Sequence, residues 1–180
     1  MTIPANKWQP SEVKRGDQAV APFLFGESIM SLISKILSPE CVILDSESAS
    51  KKRVCERVGI LFENKHNIGR SQVFDSLFAR EKLGSTGLGQ GVAIPHGRVK
   101  GLRDAVAAFV KMQNPIPFDA PDGLPVNFIF ILLVPERATD LHLQILGELA
   151  QMFSDQEFRD QLQNSDDPAA IHTLFTDWQA

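Results

Sequence analysis

The stretch Val126-Asn127-Phe128-Ile129-Phe130-Ile131-Leu132-Leu133-Val134 constrains the fold of this chain more than any other, because only Asn127 in it is polar and Pro135 closes it. A short apolar run rich in β-branched and aromatic residues predicts a central strand, buried on both faces. It is far too short to cross a bilayer as a helix. A strand of this kind needs cover on each side, and the surrounding sequence supplies helices to provide it.

Ile29, Met30, Ile33, Ile36 and Leu37 recur at helical spacing and predict a helix ended by Pro39. Cys41 to Leu44 reads as a short strand. Ser48 is placed to cap a helix running to about Asn64, with Val54, Val58, Leu61 and Phe62 inward. Ser71 opens a further helix carrying Val73, Leu77 and Phe78, and Gly84 stops it. Strands are expected at Val92 to Ile94 and Ala105 to Lys111. A strongly amphipathic helix is expected from Thr139 to about Phe153, and Asp155 and Asp167-Pro168 begin two more, the second ending near Trp178. The class is α/β, a single mixed β-sheet flanked by helices on both faces. Pro4, Pro10 and Pro22 interrupt the first residues, so residues 1–25 read as a flexible N-terminal extension and 26–180 as the domain.

With 180 residues, 43% hydrophobic and 22% charged, the chain suits one ordinary globular domain. A net charge of −4 leaves no basic footprint for nucleic acid. Cys41 and Cys55 form no CxxC pair and no zinc-like cluster, so they read as reduced, part-buried thiols. With no apolar leader at the N-terminus, this predicts a cytoplasmic protein without membrane insertion.

Between the second helix and the next strand lies Gly84-Ser85-Thr86-Gly87-Leu88-Gly89-Gln90-Gly91-Val92-Ala93-Ile94-Pro95-His96-Gly97. Its glycines let the backbone bend and approach another molecule closely. The run stiffens at Val92–Ile94, stops at Pro95 and presents His96 beside a second small residue. A neutral imidazole is a good nucleophile near pH 7 and can carry a phosphoryl group. Dinucleotide and P-loop turns pass from strand into helix; this run passes from helix into strand and has no GK[ST] ending.

Two further residues point to the same place. His142 falls on the inward stripe of Ile145, Leu146, Leu149 and Phe153, in the first turn of its helix, where free N–H groups favour an anion. Arg80, at the end of the helix before the glycines, offers a fork of donors to phosphate oxygens. Ser85 and Thr86 offer hydroxyl and backbone donors to the same anion. Each also has a plainer reading: His96 as an exposed loop histidine, His142 as a hydrogen-bonded core histidine, Arg80 as a surface residue at a helix C-terminus, Ser85 and Thr86 as turn formers. His66 and His172 have no comparable setting.

The run Arg80-Glu81-Lys82-Leu83-Gly84 through Ile94-Pro95-His96-Gly97 resembles the active-site signature of type 2 enzyme IIA proteins of the bacterial phosphotransferase system, the fructose, mannitol and nitrogen-related group. The stretches Phe118-Asp119-Ala120-Pro121-Asp122-Gly123-Leu124-Pro125-Val126, Leu132-Leu133-Val134-Pro135 and Asp140-Leu141-His142-Leu143 reinforce the likeness, which covers about Ile29 to Trp178. Pro95-His96-Gly97-Arg98 and the stretch from Phe118 are most similar to the nitrogen-regulatory branch. The resemblance implies the type 2 enzyme IIA fold, and phosphorylation of His96 at Nε2 by a phosphohistidine on HPr or its nitrogen-branch paralogue. It also implies Arg80 and His142 as neighbours of the phosphate and no cofactor or metal. The outlet it implies is either partner proteins regulated by phosphorylation state or an enzyme IIB in sugar uptake. The long N-terminal extension departs from the family pattern without touching these residues.

Overall fold

The computed structural model describes residues 31–45, 47–137 and 140–179. The extension expected over residues 1–25 lies outside them. The elements are β1 (Leu37–Asp45), α1 (Lys51–His66), α2 (Arg70–Glu81), β2 (Gly87–Gly89), β3 (Val92–Ala93), β4 (His96–Val99), β5 (Val106–Ile116), β6 (Val126–Pro135), α3 (Asp140–Ser154), α4 (Gln156–Asn164) and α5 (Pro168–Asp177).

The six strands form one mixed sheet in the order β1-β5-β6-β3-β2, with β4 also paired to β6. β6 is the central strand that its composition predicts, buried from Val126 to Val134 except at Asn127. It runs antiparallel to β5 and parallel to β3 and β4. Helices cover both faces. Phe175 of α5 is fully buried with its ring centroid 4.8 Å from that of Phe109 and 5.4 Å from that of Phe130, and Phe153 of α3 and Phe158 of α4 close around it. These tilted and edge-on pairs suit the ring quadrupoles as well as the area they bury. On the other side α2 packs against β4, and α1 against α2.

Most helix ends follow local chemistry. Ser50, rather than the expected Ser48, caps α1, Asp155 and Asp167 likewise accept bonds from first-turn N–H groups, and Pro168 sits where its missing N–H costs nothing. The helix expected over Ile29 to Leu37 and ended by Pro39 is corrected over its described part. Leu32–Lys35 is a single 3-10 turn, and Leu37 opens β1, with Pro39 inside that strand. β1 is an edge strand whose register shifts between Leu37 and Val42, and an edge with a bulge is where a strand tolerates a residue without an N–H.

Pro95 does not end the extended run but interrupts it between β3 and β4. β3 pairs with Phe128 and Ile129 of β6, and β4 resumes on Leu132 at His96. Between them, Ile94 N–H donates to Thr86 O, and Pro95 O accepts from Leu132 N–H. The carbonyl of Ile94 is left for a side chain. Cys41 and Cys55 are buried free thiols, and burial pushes the Cys55 thiol up to about 12. No helix among the described residues is long and apolar enough to cross a membrane.

Candidate active site

β4 presents its side chains alternately to the two faces of the sheet. Gly97 faces α2, where its backbone lies so close that a Cβ would fall 2.1 Å from Oγ of Ser76. Ser76 Oγ–H donates to Arg98 O at 2.8 Å and ties the helix to the strand. The alternation turns His96 the other way, toward α3. One helical turn beyond Ser76 stands Arg80. Its Nε–H donates to Nε2 of His96 at 3.1 Å, and its terminal nitrogen donates to Gly84 O at 3.0 Å.

Nδ1 of His96 lies 2.9 Å from the Ile94 carbonyl. A carbonyl only accepts, so Nδ1 carries the proton and Nε2 the lone pair. The ring is half-buried, and desolvation, the largest influence, holds its pKa below the ordinary histidine value. The Arg80 cation lowers it further, against the opposing pull of the Ile94 bond and the Glu81 carboxylate. The imidazole is therefore neutral at pH 7, with its nucleophilic nitrogen aimed at a guanidinium.

The His142 ring stands edge-on to that of His96, with centroids 5.5 Å apart and planes at 85°. It projects from the first turn of α3, which follows β6. Burial first, then His96 and Arg98, holds its pKa low as well. Its Nδ1 is buried with no hydrogen-bond partner among the described residues. Arg80, His96 and His142 thus come together from three separate elements.

The hydroxyls of Ser85 and Thr86 do not join them. Ser85 Oγ–H donates to Phe118 O at 2.6 Å and accepts from Gly87 N–H at 3.1 Å. Thr86 gives both its N–H (3.0 Å) and its hydroxyl (2.6 Å) to Oε2 of Glu81. These bonds hold the glycine loop. His172 accounts for itself with a 2.9 Å bond to Leu37 O, and His66 packs on Phe62 near Cys41.

Reasoning from sequence gave no role to Glu81 and Lys51. Oε1 of Glu81 takes a 2.7 Å bond from Lys51 Nζ, which also reaches Asp119 at 2.8 Å and sits 4.5 Å from the Phe118 ring centroid. This clamp joins α1, the end of α2, the glycine loop and the loop before β6. Lys51 lies thirty residues before Glu81, so no local spacing links them. The only signal was the position of Glu81 beside Arg80.

The arrangement can present a neutral imidazole Nε2 to an electrophile and offer guanidinium and imidazole donors to the charge that develops there. Proteins of known kind share the sequence and the fold. Residues 35–178 match the family described as phosphoenolpyruvate-dependent sugar phosphotransferase system, EIIA 2. A nitrogen regulatory protein of Pseudomonas aeruginosa is 38% identical over 151 residues, which is 83% of this chain and 98% of that protein. The crystal structure of nitrogen regulatory protein IIA-Ntr from Neisseria meningitidis superposes with a TM-score of 0.77 at 50% identity, over 81% of this chain and all of that one. At 17% identity the fold alone is shared with Escherichia coli enzyme IIA-mannitol, solved in complex with phosphorylated enzyme IIB-mannitol (TM-score 0.66, covering 79% of this chain and 100% of that one).

Proposed function

Because this chain belongs to the EIIA type 2 family of the phosphoenolpyruvate-dependent sugar phosphotransferase system, we propose that it takes a phosphoryl group onto Nε2 of His96 and regulates partner proteins by its phosphorylation state. The donor is a phosphohistidine on HPr or a nitrogen-branch paralogue of HPr. The observation that carries this reading is the tautomer of His96. The Ile94 carbonyl holds the proton on Nδ1, and low basicity keeps the other nitrogen free to attack.

The step is an in-line displacement. The P–N bond of the donor breaks, its electron pair stays with the leaving imidazole, and the Nε2 lone pair of His96 forms the new P–N bond. The transition state is loose, with charge on three equatorial oxygens, so positioning and donors do most of the work. Arg80 moves its Nε–H from the lone pair of His96 to a phosphoryl oxygen, staying within reach through its bond to Gly84 O. His142, kept uncharged by burial, adds a neutral N–H donor from the α3 side. Ser85 and Thr86 serve the phosphate through the loop they hold, with their hydroxyls bonded to Phe118 O and Glu81. No metal or nucleotide enters the step, because the donor P–N bond is already activated.

The regulatory outlet rests on the nitrogen regulatory relatives. The second reading passes phosphate onward to an enzyme IIB for sugar uptake; what favours it is the shared fold with the mannitol protein. Incubation with the phosphorylated HPr-like donor tests the first step. An acid-labile phosphate on wild type and none on His96→Ala is the expected result; undiminished labelling of the variant overturns it. Capture of partners by the two forms side by side separates regulator from sugar carrier.

A further inference from the structure

Beside His142 a cleft of about 480 Å³ opens between the 3-10 turn at Leu32–Lys35, the start of β5, the end of β6 and the first turns of α3. Its size is that of a small-molecule site. Its walls are largely apolar: Ile36, Ala105, Val134 and Ile145 line it, and Leu141, half-exposed at 52%, stands at its mouth. Three cations ring it, Lys35, Arg103 and Arg137, against the single carboxylate Asp104. Among the described residues none of the three cations lies in an ion pair. In a chain of net charge −4, such a cationic rim over an apolar pocket is a local reversal of sign.

We infer that this cleft binds a small organic anion with a short apolar body, a carboxylate or a phosphate ester, and that its occupancy is linked to the state of His96. The apolar body lies against Ile36, Val134 and Ile145, and the headgroup meets the guanidinium rim, where Arg forks match either oxyanion. The link runs through His142, which is shared by both places: it lines the cleft, and its ring stands edge-on to His96. No protein hydrogen bond among the described residues fixes its Nδ1, so packing from the cleft on one side and from His96 on the other sets the ring. A ligand that shifts it alters the donor available to a phosphoryl group, and by reciprocity a phosphoryl group alters the ligand's affinity. The binding stands on the cleft alone; the link rests on the phosphocarrier reading.

The test is a titration of the full-length, isotope-labelled protein with hexanoate, hexyl phosphate and uncharged hexanol, followed by amide NMR. One saturable site is expected, with shifts centred on Lys35, Ala105 and Leu141 and both anions tighter than hexanol; the tighter anion identifies the headgroup. Arg103→Glu with Arg137→Glu, both at exposed positions, is expected to weaken the anions about tenfold and leave hexanol unchanged. Ala105→Phe, which fills the cleft, is expected to abolish all three. Hexanol binding as tightly as the anions, or shifts centred elsewhere, such as the groove of Ile60 and Phe74 between α1 and α2, overturns the site. Equal affinity of the phosphorylated and unphosphorylated protein for the tighter anion overturns the link while sparing the site. Failure of His96 to take up phosphate removes the link alone.

Discussion

Gly97 and Ser76 touch so closely that no larger residue fits at position 97. A Cβ there would stand 2.1 Å from the serine Oγ and 3.0 Å from its carbonyl carbon. This contact sets the height of α2 above the sheet, and with it the reach of Arg80 to His96. Gly97→Ala is expected to lower stability by about 1–3 kcal/mol through overpacking and to slow phosphoryl uptake together with it. Ser76→Ala removes the Oγ clash but also the bond to Arg98 O. Urea unfolding of both single variants and the double variant is therefore expected to show coupling, the double costing less than the sum.

Arg80→Lys keeps the positive charge and loses the fork. Uptake of phosphate is expected to fall about 10–100-fold, since a point charge cannot hold Gly84 O and a phosphoryl oxygen together. Arg80→Gln removes the charge that depresses His96, so the NMR titration midpoint of His96 is expected to rise. An unchanged midpoint contradicts the contact.

Both site histidines titrate below the ordinary value of 6.5. The folded form of each resists a proton that the unfolded chain accepts. Their contribution to stability is therefore full above 6.5 and is lost as pH falls through that value toward the lower folded midpoints. Wild type is expected to lose more stability over this window than His96→Gln or His142→Gln, as read from urea midpoints at each pH. Ring titrations of the folded protein should place both midpoints under 6.5, and that of His142 should rise in His96→Gln, where the neighbouring ring charge is gone.

Glu81→Gln breaks the clamp, not the phosphate contacts. It weakens the bond to Lys51 and the pair of bonds from Thr86. The expected cost is about 1–3 kcal/mol, with the His96 midpoint moving down because a carboxylate that supports its protonated form is gone. Lys51→Met should reproduce the stability loss, since it leaves Glu81 without its cation.

The sequence was legible in several places where local chemistry decides. β6 declared itself by composition, the amphipathic stripe of α3 by its period, and the starts of α4 and α5 by Asp155 and Asp167. It misled where tertiary context overrides spacing. Ile33, Ile36 and Leu37 repeat like a helix, yet the sheet captures Leu37, and Leu32–Lys35 forms a 3-10 turn. Pro95 read as a stop because a local rule cannot see that β6 is long enough to receive the strand twice. β5 likewise runs on past Lys111, whose ammonium is buried against Gln163 O, Ser165 O and Asp166. At the site, Arg80, His96 and His142 stood out by residue type and setting. Ser85 and Thr86 stood out less, as donors within the glycine run, and only the fold reveals that their hydroxyls are spent on Phe118 O and Glu81.

The interruption between β3 and β4 at Ile94 and Pro95 reaches further than the topology. The group that orients the imidazole belongs to the main chain, so no mutation at a neighbouring side chain can remove it. The choice between the two ring nitrogens is therefore inherited from the path of the backbone, and the Arg80 bond to Nε2 reinforces from a side chain what the main chain already sets.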